Sequence, residues 1–199
     1  NGIWWSRKGD PIIAKMMAGY ANRVPSKKRP KKPICIELLS RFVQFCNQST
    51  YIGTMQWVMM LTAYWFALRA GEYSWGSKYT AHHIVKAKHL VFDFNVDHSD
   101  VVQATLNLRG HKGDPRAERD AHVPVRCTCT LCGRKVDDVH CPVHALLRYC
   151  GWRSRLGFGD EDALFISNLT RMPLLSSHVN SLVRRCIDAL GLRGADYTA

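Results

Sequence analysis

Apolar residues recur at the 3.6-residue spacing of a helix in five segments of the chain. These segments cover residues 12–20, 36–46, 55–68, 141–149 and 176–190. Such spacing puts the apolar side chains on one helix face, which a domain buries against its core. The segment from Met55 to Leu68 is about 14 residues long, whereas a bilayer core needs roughly 20. It therefore predicts a buried helix, and no membrane partner is expected. Gly191 follows the last segment and predicts its end.

The middle of the chain carries short runs that are β-branched or that alternate between apolar and polar residues. They cover residues 90–94, 101–108 and 122–125. Runs of this length and composition predict strands. Because they follow one another closely, we expect a small three-stranded antiparallel sheet. The sequence therefore predicts an α+β fold that is mostly helical.

A strap rich in proline and lysine follows the first helical segment. Residues 25–33 contain three prolines, which prevent a helix, and five cations, which repel one another into an extended conformation. We interpret the strap as an interdomain linker, with the domain boundary between residues 32 and 33. Its cations are candidate DNA contacts, because neutralising phosphates releases counterions. These cations are Lys27, Lys28, Arg29, Lys31 and Lys32. A nuclear-import signal is the competing interpretation.

Composition and charge narrow the class of partner. The 199 residues carry a formal charge of +12, so the surface field favours a polyanion, and nucleic acid is the first candidate. The eight cysteines are unevenly spaced, with four of them between Cys127 and Cys141. This spacing indicates reduced thiols or metal ligands rather than a disulfide framework. We expect a nuclear protein, or an intracellular one if its source is prokaryotic or viral.

An arginine and a glutamate follow the most apolar helical segment, at Arg69 and Glu72. The helix dipole favours a cation at a helix C-terminus, which is a purely structural reason for the arginine. Arginine also donates two parallel hydrogen bonds to phosphate oxygens and keeps its charge at any cellular pH. This segment alone leaves both interpretations open.

The same segment resembles the Gly-Leu-Arg-x-x-Glu box of tyrosine recombinases, with Ala67 in place of the glycine. The resemblance implies that Arg69 contacts the scissile phosphate and that Glu72 supports it. Residues 108–115 resemble the family's β-hairpin that carries a catalytic lysine, here Lys112. In the family that lysine protonates the departing 5′ oxygen. The alternative is a solvated hairpin lysine, because glycine, aspartate and proline form turns whatever their function.

Further likenesses point to recombinases of eukaryotic mobile elements, the Crypton and DIRS-like groups. They lie in the Lys-x-Asp-Pro turn, the helix that starts at Cys141, and Leu164-Phe165-Ile166 before Pro173-Leu174. On this resemblance residues 1–32 are the end of a core-binding domain with its linker, and residues 33–199 are a truncated catalytic domain.

The last residues, 196–199, resemble the lead-in to the family's His-x-x-Arg box. The box and the tyrosine that forms a 3′-phosphotyrosine intermediate are then expected after Ala199, and this piece alone is expected not to cleave DNA. The resemblance implies duplex DNA as partner, self-association on that DNA, and catalysis without a cofactor.

Six soft or borderline metal ligands lie within 18 residues. They are Cys127, Cys129, Cys132, His140, Cys141 and His144. Zinc takes four such ligands in a tetrahedron, so a structural zinc site built from four of these residues is one interpretation. The other is that the thiols pack as small apolar groups, with both histidines on a helix surface.

Two functions are therefore compared. The first is a site-specific DNA recombinase or integrase. The second is a domesticated, non-catalytic DNA-binding module that kept the fold and holds a zinc ion.

Overall fold

The computed structural model of the protein combines helices with a three-stranded sheet. The structure describes residues 32–76, 84–97, 99–109, 120–129 and 139–197. The helix predicted over residues 12–20, strap residues 25–31, Lys112 and Cys132 lie outside these ranges.

The elements follow one another in the predicted order. They are α1 (Ile36–Phe42), α2 (Tyr51–Trp65), α3 (Ala70–Tyr73), β1 (Leu90–Phe94), β2 (Val101–Arg109), β3 (Asp120–Arg126), α4 (Pro142–Arg155) and α5 (Ser176–Ala189). Short 3-10 turns cover Val43–Phe45, Ala87–His89 and Gly194–Asp196. Within the described ranges no helix is long and apolar enough to cross a membrane.

Helix α2 runs through the centre of the core. Its first turn is capped by Thr50, whose hydroxyl accepts a hydrogen bond from the Gly53 backbone N–H at 3.1 Å. Gly53 is required there, because a Cβ at this position would lie 2.0 Å from the Asn47 carbonyl oxygen. Trp57, in the next turn, is fully buried. The predicted buried helix is confirmed, although it starts at Tyr51 rather than Met55.

The sheet has the order β1-β2-β3, and both pairs are antiparallel. Leu106 of β2 lies opposite Leu90 on one side and Val123 on the other. Ala104 and Leu106 are fully buried, so alternate residues of β2 face the core, as the period of a strand requires. The predicted three-stranded antiparallel sheet and the α+β class are confirmed.

Helices α2 and α4 pack together through a pair of buried tyrosines. The Tyr51 and Tyr149 hydroxyl oxygens are 3.1 Å apart. Tyr51 also donates to the Ile166 carbonyl at 2.7 Å, and Tyr149 donates to the Leu164 carbonyl at 2.9 Å. Both hydroxyls are therefore satisfied in the core. The contact joins α2 to the segment that leads into α5.

Candidate functional site

The turn after α2 brings the chain to Arg69. The Leu68 N–H donates to the Ala63 carbonyl at 2.9 Å, and the Ala67 N–H reaches the Tyr64 carbonyl at 3.3 Å. These are the two bonds of a Schellman motif, which requires a left-handed residue after the helix cap. Ala67 has that conformation, with a φ of 51°. Helix α2 therefore ends at Trp65, three residues before the predicted end, and the chain reverses before Arg69.

Glu72 fixes the backbone at Arg69. The Arg69 N–H donates to Oε2 of Glu72 at 2.7 Å, and the Glu72 N–H donates to the Arg69 carbonyl at 2.8 Å. This pairing closes the single turn of α3. The carboxylate thus acts on the main chain of the arginine rather than on its side chain.

The guanidinium of Arg69 faces solvent. Its side chain is 58% exposed, whereas that of Glu72 is 17% exposed. Nη1 of Arg69 and Oε1 of Glu72 are 3.9 Å apart, beyond hydrogen-bond distance. Because this ion pair is loose, the planar fork can still donate to an incoming anion.

A chain of backbone hydrogen bonds ties this corner to the protein interior. The Val85 N–H donates to the Glu72 carbonyl at 2.8 Å, and the Leu164 N–H donates to the Val85 carbonyl at 2.7 Å. Arg153, only 3% exposed, donates to the carbonyls of Ala163 and Leu164 at 2.7 and 2.8 Å. The turn that presents Arg69 is therefore held by a buried cation on α4.

The structure brings two of the three predicted catalytic residues together. Arg69 and Glu72 share one turn, and β2 and β3 flank the segment that contains Lys112. Lys112 itself lies outside the described residues, so its approach to Arg69 stays a prediction. Of the strap cations, Lys32 is described. Its N–H donates to the Asp196 carbonyl at 2.7 Å, and its Nζ lies 6.0 Å from the centre of the Tyr197 ring.

A second cluster lies where β3 leads toward α4. The ligand atoms of Cys127, Cys129, Cys141 and His144 all lie within 4.8 Å of one another, and all four residues are buried. Cys127 directly follows β3, Cys141 caps α4, and His144 lies in the first turn of α4. The interpretation that places His144 on a helix surface is wrong, because its side chain is 7% exposed. The proximity of four zinc-type ligands, predicted from their spacing, is confirmed.

His140 takes another position, and Cys132 lies outside the described ranges. Nε2 of His140 is 3.3 Å from the Ser40 carbonyl oxygen. Its ring packs edge-on against Trp57, with ring centres 5.8 Å apart. The histidine that joins the cysteines is His144, which stands three residues after Cys141 on the same face of α4.

Asp100 also contacts this cluster, although the sequence pattern did not predict it. Its Oδ1 lies 2.9 Å from Nε2 of His144 and also accepts a hydrogen bond from the Val101 N–H at 2.8 Å. Asp100 stands in the turn between β1 and β2, 44 residues from the histidine. The spacing of the cysteines carries no signal of such a partner, because the sheet pairing brings it there.

Burial and hydrogen bonding shift the pKa values of two thiols in the cluster in opposite directions. Burial opposes the thiolate of Cys141, but hydrogen bonds from His144 and Thr128 outweigh it and lower the pKa of Cys141 to about 6. Burial, reinforced by the neighbouring Cys141 and Cys127, raises the pKa of Cys129 to about 12. Burial lowers the pKa of His144, but the hydrogen bond to Asp100 and the contact with Cys141 give a net increase.

Comparison with solved structures identifies the fold. The XerH site-specific recombinase, in a pre-cleavage complex with its difH substrate, aligns with a TM-score of 0.50 and 15% identity over 79% of this chain. The chain shares its fold with the matched region of this site-specific recombinase. The XerA recombinase aligns with a TM-score of 0.47 and 18% identity over 90% of the chain. The matched regions span 35% of XerH and 52% of XerA. No family model and no curated protein sequence matches the chain.

The structural match and the sequence resemblance depend on different features of the protein. At 15% identity the structural match depends on the path of the backbone rather than on shared side chains. The resemblance in the sequence depends instead on a few motif residues, chiefly those from Ala67 to Glu72. The structural match therefore shows a shared fold, and the motif resemblance is a separate observation.

Proposed function

We propose that this chain is part of a tyrosine-type site-specific DNA recombinase and that Arg69 binds the scissile phosphate. The observation that carries the proposal is the exposed guanidinium of Arg69, on a backbone fixed by Glu72 within a recombinase fold. In this proposal residues 33–199 belong to the catalytic domain, and residues 1–32 form the end of a core-binding domain and its linker.

The proposed reaction exchanges one phosphodiester for another. A tyrosine hydroxyl, supplied by residues after Ala199, attacks phosphorus, loses its proton to water and forms a 3′-phosphotyrosine bond. The bond from phosphorus to the 5′ oxygen breaks, and Lys112 gives that oxygen its proton. Negative charge grows on the nonbridging oxygens in the pentacoordinate transition state. The fork of Arg69 meets that charge, so it stabilises the transition state more than ground-state DNA. No cofactor takes part in this chemistry.

Duplex DNA is the proposed partner. The formal charge of +12 supports a polyanionic ligand, and the strap cations, Lys27 to Lys32, are proposed to follow the DNA backbone. Self-association on DNA, a nuclear location and membership of the Crypton or DIRS-like groups are proposed on the sequence resemblance.

The test compares rate with affinity in a protein that includes the residues encoded after Ala199. Single-turnover formation of the covalent protein–DNA adduct is measured on a suicide substrate, beside a binding titration at fixed salt. For Arg69→Ala we expect adduct formation to fall by about 10²-fold or more, the scale for removing one preorganised donor at an oxyanion. Arg69→Lys keeps the charge but loses the fork, so we expect an intermediate rate. Affinity should change little, because other phosphate contacts remain.

The matched control is Arg155→Ala, which removes an exposed arginine that packs on Trp152 at the end of α4. Its rate and affinity should both stay near wild type. Adduct formation by Arg69→Ala at the wild-type rate would remove Arg69 from the active site. DNA binding without any adduct in the wild-type protein would instead support the non-catalytic DNA-binding module.

A further inference from the structure

Three thiols and one imidazole converge inside the protein at the junction of the sheet and α4. The exposed fractions are 0% for Cys127, 2% for Cys129, 0% for Cys141 and 7% for His144. We propose that these four side chains bind one structural Zn²⁺ ion. The proposal stands on this cluster and is independent of the recombinase proposal.

Four of the six distances between the ligand atoms fit the edges of a zinc tetrahedron, and the other two lie within 4.8 Å. Zinc lies about 2.3 Å from sulfur and about 2.0–2.1 Å from nitrogen, which at tetrahedral angles separates two sulfurs by roughly 3.8 Å and sulfur from nitrogen by roughly 3.6 Å. Sγ of Cys127 and Sγ of Cys141 are 3.6 Å apart. Nδ1 of His144 lies 3.4 Å from Cys127, 3.5 Å from Cys129 and 3.4 Å from Cys141.

Hydrogen bonding does not explain this arrangement. One ring nitrogen shares at most one hydrogen with one acceptor, yet three sulfurs surround Nδ1 of His144 at nearly equal distances. An ion at the centre accounts for all three distances at once. Packing as apolar groups does not account for them either. The thiols of Cys46 and Cys186 are equally buried, but they are not part of this group.

Asp100 orients the imidazole for metal binding. Its carboxylate lies 2.9 Å from Nε2 of His144, so that nitrogen carries a hydrogen and Nδ1, which faces the sulfurs, is the atom that would bind the ion. Histidine ligands of zinc commonly have such a carboxylate partner on the other ring nitrogen. The backbone also holds Asp100 in place, because its N–H donates to Oδ1 of Asn95 at 3.0 Å.

The ligand set indicates a structural site. Four buried protein ligands complete a tetrahedron and leave no position for a substrate, which is typical of structural zinc. The ion would join the end of β3 to the first turn of α4, and through Asp100 it would hold the turn between β1 and β2. The proposed role is therefore to fix the sheet against the helices.

The experiment measures metal in protein purified under reducing conditions without chelator. We expect about one zinc ion per chain, measured by inductively coupled plasma mass spectrometry. Replacement of zinc by Co²⁺ should give thiolate charge-transfer bands and the intense visible bands of tetrahedral cobalt. Cys129→Ser should lose most of the metal. The matched control, Cys186→Ser, changes an equally buried thiol outside the cluster and should keep one zinc per chain.

A second variant separates metal binding from folding. Asp100→Asn keeps the hydrogen-bond acceptor but loses its charge, so we expect about tenfold weaker zinc binding in a chelator competition. Its zinc content at saturation should remain about one. Wild-type protein without zinc, without a cobalt spectrum, and with a melting temperature that chelator leaves unchanged would overturn the proposal. None of these wild-type measurements depends on whether a variant folds.

Discussion

The turn that presents Arg69 carries an alanine in a conformation that favours glycine, and replacing it should stabilise the protein. Ala67 has a φ of 51° and is exposed. The left-handed conformation costs an L-residue roughly 1–2 kcal/mol. Glycine removes this cost, but its greater freedom in the unfolded chain takes back about 0.4–1 kcal/mol. We therefore expect Ala67→Gly to raise the free energy of unfolding by about 0.5–1 kcal/mol.

The reciprocal change at the end of α5 provides the control. Gly191 has a φ of 73° and occupies the same position of a Schellman motif, with bonds from its N–H to the Asp188 carbonyl and from the Leu192 N–H to the Ile187 carbonyl. A Cβ added at Gly191 would meet no atom within 4 Å. Gly191→Ala therefore isolates the conformational cost, and we expect it to destabilise the protein by about 1 kcal/mol.

Urea unfolding at constant pH measures both variants. The midpoint should rise for Ala67→Gly and fall for Gly191→Ala, with the slope unchanged in each case. DNA affinity of Ala67→Gly should equal that of wild type, because the turn keeps its path. A lower midpoint for Ala67→Gly, or an unchanged midpoint for Gly191→Ala, would refute the argument from backbone conformation.

Two further predictions concern the groups that support the Arg69 turn. Glu72→Ala removes the acceptor for the Arg69 N–H and should lower the free energy of unfolding by about 1 kcal/mol in urea, whereas Glu72→Gln keeps an acceptor oxygen and should lose less. Equal losses in the two variants would argue against the hydrogen bond. Arg153→Met removes the buried guanidinium that donates to the carbonyls of Gly159, Ala163 and Leu164 and should cost about 2–4 kcal/mol in thermal unfolding. A loss no greater than that of Arg155→Met would show that the buried cation is dispensable.

The ends of the helices show what the sequence can predict. Helices α2, α4 and α5 all end in the same pair of hydrogen bonds, with Ala67, Gly157 and Gly191 in the left-handed position. Gly191 predicts its helix end, because glycine adopts this conformation at little cost. Ala67 gives no such signal, and the end of α2 was predicted three residues late. Tertiary contacts hold the turn in a conformation that alanine disfavours. A local sequence pattern does not predict such contacts.

The candidate metal site also has a part that the sequence predicts and a part that only the fold determines. The spacing of the cysteines and histidines predicts a group of ligands, since Cys141 and His144 are one helical turn apart. It does not choose between His140 and His144, because that choice depends on where α4 begins and on which histidine faces the end of β3. The pairing of β1 with β2 brings Asp100 to His144. Its role follows from sheet register, which is a property of the folded chain.

The two halves of the proposed recombinase site are held by different means. The Arg69 turn is tied through Val85 and Leu164 to Arg153, a buried side chain of α4. The strands on either side of the Lys112 segment are tied to the first turn of α4 through the cysteine–histidine cluster. Helix α4 is therefore the common support, with its beginning joined to the sheet and its end joined to the arginine turn. Since both anchors use one rigid element, the spacing between phosphate binding and proton delivery would depend on the integrity of α4.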